Sequence, residues 1–345
     1  MKNDAFYPNN RVFIISSASV AGQKEKAGPL GSMFDLSGDD KFGKDTWEKS
    51  EAEMQRLALS ISLNKASIGA GDVDMVFAGD LINQCISSSF GLLSFGIPFV
   101  GLFGACSTAA LGMLSSSVYL STVRGKCASV TSSHFCSAER QFRYPLEYGG
   151  QRAPTSQWTV TGAGAFVYSS DPADAAKTER EYVPEIISVM PGRIVDRGIK
   201  DQSNMGAAMA PSAADTIERF FSQPQHPHTP SEYDLIVTGD LGREGSAILL
   251  DLLKSEGTDI SDRHTDCGMM IYSADDDVHA GGSGCGCSAV VMASDILENI
   301  RIGRLGRVLF AATGALMNSL SVNQKQTIPG IAHLVEIRGV KRSSL

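Results

Sequence analysis

The apolar positions form two similar series of short continuous runs separated by longer amphipathic segments. "RVFIISS" at 11–17 and "VPEIISVM" at 183–190 lack strict polar alternation and read as strands buried on both faces. After each comes a loop and an amphipathic helix, "WEKSEAEMQRLALSISLNKA" at 47–66 and "APSAADTIERFFSQ" at 210–223. The next strand ends in Gly-Asp in both series: "GDVDMVFAGDL" at 71–81 and "SEYDLIVTGDL" at 231–241. A helix of small residues follows, "ACSTAALGM" around Cys106 and "GCSAVVMAS" around Cys287, then strands at 127–133 and 307–313. "TVTGAGAFVYSS" and "GIAHLVEIRG" close the two series. The same order twice predicts a duplicated fold joined near 169–181, with halves 1–175 and 176–345. Strands alternating with helices imply right-handed crossovers and a mainly parallel sheet in each half.

Composition narrows the function classes. The chain has 345 residues, more than one simple core usually holds. Its formal net charge of −8 speaks against a nucleic-acid partner, whose binding surface would be basic. Seven cysteines without a spaced framework fit a reducing compartment. The polar opening "MKNDAFYPNN" has no hydrophobic region, so synthesis in the cytoplasm is expected. No charge occurs from Leu81 to Val123, but polar residues, Pro98 and glycines interrupt the run. Buried elements of an α/β protein explain it better than a membrane span.

The candidate chemistry centres on Cys106 in "FGACSTAALG", at a strand-to-helix turn. It is either a small buried filler or a thiol whose pKa the helix N-terminus lowers. A nucleophile there also needs a base within hydrogen-bond reach. His134, Asp80 and Asp240 end strands, where open α/β sheets bind ligands. The two aspartates either face each other across a pseudo-twofold axis or cap the following helices. His264, Cys267, His279, Cys285 and Cys287 lie close in sequence but lack the matched pairs of a structural zinc site. "ADDDV" at 274–278 lacks the alternating ligands and glycine of a calcium loop.

The duplicated half, the central cysteine and "GGSGCGCSA" at 281–289 resemble the thiolase and ketoacyl-synthase superfamily. "GDLINQ" at 79–84, "GACSTAALG" and "SSHFCSAERQFRYPLEYGGQRAPTSQWTVTGAGA" at 132–165 resemble, within it, the stage V sporulation protein AD family. The resemblance covers nearly the whole chain. It implies a thiolase-like α/β fold of two halves, each with a mixed, mainly parallel five-stranded sheet, in αβαβα layering. It also implies a sporulation protein that binds dipicolinic acid, alone or with calcium, and takes part in its uptake into the forespore. Such a protein would need no cofactor, would form a homodimer, and would reach the forespore membrane through membrane-protein partners.

Relatives of the condensing-enzyme type supply histidine, or histidine and asparagine, from loops of the second half. Here those loops read "DLGREG", with Asp240, and "HAGGSGCGC", with His279 outside the pattern and Ser283 or Gly284 in the asparagine-like place. Acyl condensation is therefore in doubt, and an anion-binding cavity remains. Dipicolinate presents two rigid carboxylates, which guanidinium forks, helix amides and a flat apolar wall would hold. Arg140, Arg143, Arg152, Gln157, Trp158 and two tyrosines share one excursion over the sheet edge. The expected ligand residues are Cys106, His134, Asp80, Gln84, Asp240, His279, Arg140, Arg152 and Gln157. The rival readings are an acyltransferase acylated on Cys106 with His134 or His279 assisting, and a scaffold for membrane channel partners.

Overall fold

Ten strands pair side by side in a computed structural model that describes residues 5–142, 152–224, 227–273 and 275–345. They are β1 (Val12–Ala21), β2 (Met75–Gly79), β3 (Phe99–Gly101), β4 (Lys126–Ser133), β5 (Gly162–Ser169), β6 (Tyr182–Met190), β7 (Leu235–Thr238), β8 (His264–Asp266), β9 (Arg307–Ala315) and β10 (Gly330–Lys341). The spatial order is β8-β7-β9-β10-β6-β1-β5-β4-β2-β3. At one end β3, β2 and β4 are parallel, while β5 runs antiparallel to β4 and to β1. At the other end β8, β7 and β9 are parallel, while β10 runs antiparallel to β9 and to β6. The two five-stranded arrangements repeat one topology. They meet where Val12 and Phe13 of β1 pair with Ile186 and Glu185 of β6, so one ladder runs through both.

Five layers result. Helix α1 (Trp47–Lys65) covers one outer face, against β1, β4 and β5. Helices α3 (Met205–Phe221) and α4 (Gly242–Ser255) cover the other, with α3 on β9 and β10. Between the sheets lie α2 (Thr108–Thr122) and α5 (Cys285–Val291); α2 touches β2 and β4 on one side and β9 and β10 on the other. Small residues make that insertion possible. A Cβ on Gly112 would sit 2.9 Å from Ser129 Cβ, and one on Gly286 would sit 2.4 Å from the Gly162 oxygen. This is the αβαβα layering expected from the resemblance.

Local signals shifted one boundary. Sequence pattern starts the helix of the second series at Ala210, but α3 begins at Met205. Asn204 caps it by accepting from the Ala207 amide at 3.1 Å, and Pro211 sits inside the helix. Among the described residues no helix is long and apolar enough to cross a membrane.

Candidate functional site

A sharp turn places Cys106 at the start of α2. Ala105 has φ +49°, a conformation that costs a side-chain-bearing residue energy. Its carbonyl accepts from Thr108 Oγ1 at 2.6 Å, and that of Gly104 accepts from Ser107 Oγ at 2.6 Å. β9 closes over the turn through Gly314, where a Cβ would lie 2.5 Å from the Gly104 oxygen. The thiol is thus held at the interface of the two sheets.

Cys106 borders a cavity of about 350 Å³, within the size range of small-molecule sites. Its wall also includes Gln84, Phe103, Glu139, Arg152, Gln157 and Met317. Gln84 and Cys85 both have positive φ, a tight turn that presents Gln84 at the wall. The loops at 202–205 and 315–321 supply much of the remainder. Pattern reading missed those loops, because their residues carry no chemical signature of their own.

Asp240 lies behind Cys106, off the cavity wall. Its carboxyl hydrogen-bonds with the thiol. It also accepts from the Gly284 amide at 2.9 Å, Thr313 Oγ1 at 3.0 Å and Ser283 Oγ at 3.3 Å. Burial outweighs these donors and raises the carboxyl from 3.8 to about 7. The same forces act on the thiol. Burial first, then the Asp240 carboxyl, push Cys106 well above the ordinary thiol range, and the Gly284 amide only partly opposes them. Burial and the Asp240 carboxyl thus act against the lowering that a helix N-terminus would give, and of the two readings of Cys106 they favour the buried thiol.

Arg152 forms one side of the cavity and is the only cation in its wall among the described residues. One nitrogen, Nη2, bonds Asp277 through its carboxylate at 2.8 Å and its carbonyl at 2.5 Å. The guanidinium lies 4.9 Å from the centre of the Trp158 ring, which stacks on Phe135 with centroids 3.8 Å apart. The other nitrogen, Nη1, is buried and has no partner among the described residues. Gln157 donates from Nε2 to the carbonyls of Asp240 at 2.7 Å and Gly282 at 2.9 Å. Its Oε1 is likewise buried without a described partner.

Of the nine expected ligand residues, the cavity wall brings together Cys106, Gln84, Arg152 and Gln157. The other five lie off it. Asp80 is engaged locally, accepting from the Ile82 amide at 2.9 Å, and from Ser88 through its amide at 2.8 Å and its hydroxyl at 2.5 Å. His134 is fully buried; its Nδ1 accepts from the Cys136 amide at 3.0 Å, so Nε2 donates to the Asp40 carbonyl at 2.7 Å. His279 sits on a positive-φ turn beside Asp277, 3.4 Å away. Arg140 is exposed, while Arg143, Tyr144 and Tyr148 fall outside the described residues. No group of three histidine, cysteine or acidic residues able to hold a metal occurs among the described residues. Cys285 instead donates to the Ser132 carbonyl at 2.9 Å.

Comparison with known proteins gives concordant matches. The family model described as stage V sporulation protein AD (SpoVAD) matches residues 3–338. Stage V sporulation protein AD of Bacillus subtilis (strain 168) is 44% identical over 324 residues, 93% of this chain and 93% of that one. Among solved structures, cerulenin-bound OleA of Xanthomonas campestris matches with a TM-score of 0.58 at 14% identity, covering 96% of this chain and 97% of that one. The 3-oxoacyl-[acyl-carrier-protein] synthase III of Aquifex aeolicus VF5 matches with a TM-score of 0.55 at 12% identity, covering 95% and 99%. Likeness at that level of identity establishes the thiolase-like fold and nothing finer.

Proposed function

Because the chain belongs to the stage V sporulation protein AD family, a sporulation family, we propose that its cavity binds dipicolinic acid for uptake into the forespore, without catalytic turnover. The observation that carries this reading is Arg152, a cavity-wall guanidinium with one buried nitrogen that has no partner among the described residues. Such a donor is costly to leave unmade, and a ligand carboxylate satisfies it with a charge-assisted bond. The absence of turnover is argued from Cys106: burial and Asp240 both oppose the thiolate that acyl transfer requires. Delivery across a membrane falls to partner proteins.

Calorimetric titration of dipicolinate into the wild-type protein and Arg152→Ala tests the reading. A charge-assisted hydrogen bond is worth about 1.5–3 kcal/mol, so affinity should fall roughly 10- to 100-fold. Arg152→Lys should recover part of it, because the charge remains but the fork is lost. Unchanged affinity in Arg152→Ala would remove the guanidinium from the site. A stable acyl adduct on Cys106 after incubation with acyl-coenzyme A would replace binding with transfer chemistry.

A further inference from the structure

A second pocket, of about 330 Å³, adjoins the first. It lies between the strand-to-helix loop that carries Lys200 and the turn at 321–328, and both cavities count Gln202 and Ser321 in their walls. Those two side chains therefore form a partition between the spaces.

The walls are tied together. The Ile328 amide donates to the Ile199 carbonyl at 2.7 Å, Thr327 Oγ1 donates to Asp196 Oδ2 at 2.5 Å, and Val195 and Gly330 exchange backbone hydrogen bonds. Thr155 Oγ1 donates to the Ser203 carbonyl at 3.1 Å, which joins this loop to the segment that carries Arg152. The pocket is a fixed feature of the fold on the same side as the cavity wall.

Its charge is one-sided. Lys200 and Lys325 both line it, and neither ammonium group has an acidic partner among the described residues. Two acids on the same loop stay outside the pocket wall and form hydrogen bonds to neutral groups rather than ion pairs with the lysines. Asp196 takes the Gly198 amide and the Thr327 hydroxyl, and Asp201 takes the amide and hydroxyl of Ser203. In a chain of net charge −8, a pocket wall with two exposed lysines and no acidic side chain is a local enrichment of positive charge, with Asp196 and Asp201 at its margin. Lys325 also occupies a left-handed backbone position, φ +57°, where glycine or asparagine would be easier. Inside the cavity Arg152 is the lone described cation and Glu139 opposes it, so a ligand with two carboxylates leaves one charge without a described counter-ion.

We propose that this pocket is an outer anion subsite, in which Lys200 and Lys325 take a carboxylate of a small organic acid at the approach to the inner cavity. The choice of ligand rests on the dicarboxylate reading of that cavity; the subsite itself rests on the lysine pair. An ammonium pair suits such a station, because point charges on flexible stems attract an anion without the fixed geometry of a guanidinium fork. Binding there should be weak and strongly sensitive to salt.

The test titrates dipicolinate to millimolar concentration at low ionic strength into four proteins: wild type, Arg152→Ala, Lys200→Ala/Lys325→Ala, and Lys200→Arg/Lys325→Arg. The wild type should show two binding events, the weaker one abolished by salt. That weaker event should persist in Arg152→Ala, vanish in the double alanine variant and return in the double arginine variant. A single event that disappears in Arg152→Ala and is untouched in the double alanine variant would overturn the outer subsite while leaving the cavity reading intact. A single event that depends only on the lysines would support the subsite and overturn the cavity reading. No binding by the folded wild-type protein would remove both.

Discussion

At Cys106 a helix N-terminus competes with burial and with a neighbouring acid. The partial charge of a helix end is worth about 0.3–1 kcal/mol, up to about 2 kcal/mol in partly buried sites. Full burial of a thiolate next to a carboxyl costs more, so the thiol stays protonated at neutral pH. Asp240→Asn should remove the acid while keeping the Gly284 bond, since an amide oxygen can accept from the same N–H. The thiol should then titrate lower and alkylate faster. The rate of iodoacetamide labelling of Cys106 against pH, followed by mass spectrometry, reads this directly; superimposable profiles for the two proteins would deny Asp240 its role. The same substitution has a stability signature. Burial raises Asp240 above its unfolded value, so its contribution is fully present below about pH 4 and is lost as pH rises through about 7. Asp240→Asn should flatten that decline in thermal midpoint. Glu25, also buried and raised to about 7, should leave a residual slope of the same sign.

Helix α2 touches sheet on both sides and α5 packs on β1, β4 and β5, and glycine is what lets them approach so closely. Gly286 meets the Gly162 carbonyl and the Ser133 hydroxyl, which itself bonds the Gly286 amide at 3.1 Å. Gly286→Ala should therefore cost about 1–3 kcal/mol by overpacking and lower the thermal midpoint by several degrees. An unshifted melting curve would show that the layers can separate at no cost. The elements themselves were legible because buried strands and amphipathic helices leave periodic patterns, and small-residue runs mark a sandwiched helix. What the pattern could not distinguish was the fate of two identical Gly-Asp-Leu steps. Asp80 is consumed by the turn that follows it. At the second step Asp266, from β8, takes the Leu241 and Gly242 amides, each at 2.9 Å, and leaves the Asp240 carboxyl free to face Cys106. That outcome depends on a residue more than twenty positions away, as do the cavity walls built from 202–205 and 315–321. No local motif encodes such meetings, so five of the nine expected ligand residues lie off the cavity wall.

At the scale of the whole molecule, one edge of the sheet remains apolar and open. β3 pairs only with β2, so the other side of its backbone carries amides and carbonyls with no strand beside them among the described residues. Phe99 and Val100 on that strand are 41% and 36% exposed. Phe103 just beyond it is 56% exposed, and Phe90 and Leu93 before it are 68% and 75% exposed. All five lie in the run from Leu81 to Val123 that contains no charge, so none of the usual lysines or glutamates guards the edge. A patch of this kind is costly in water, and a second copy meeting it about a twofold axis would pair the two edges and bury the aromatic rings together. The protein is therefore expected to be a homodimer joined through β3. Light scattering coupled to gel filtration should give twice the chain mass for the wild type, and the single-chain mass for Val100→Lys, whose ammonium groups would face each other near the axis. Circular dichroism on that variant checks that it still folds. A wild-type protein that elutes as a stable monomer at micromolar concentration would mean that this edge is kept open for a different chain.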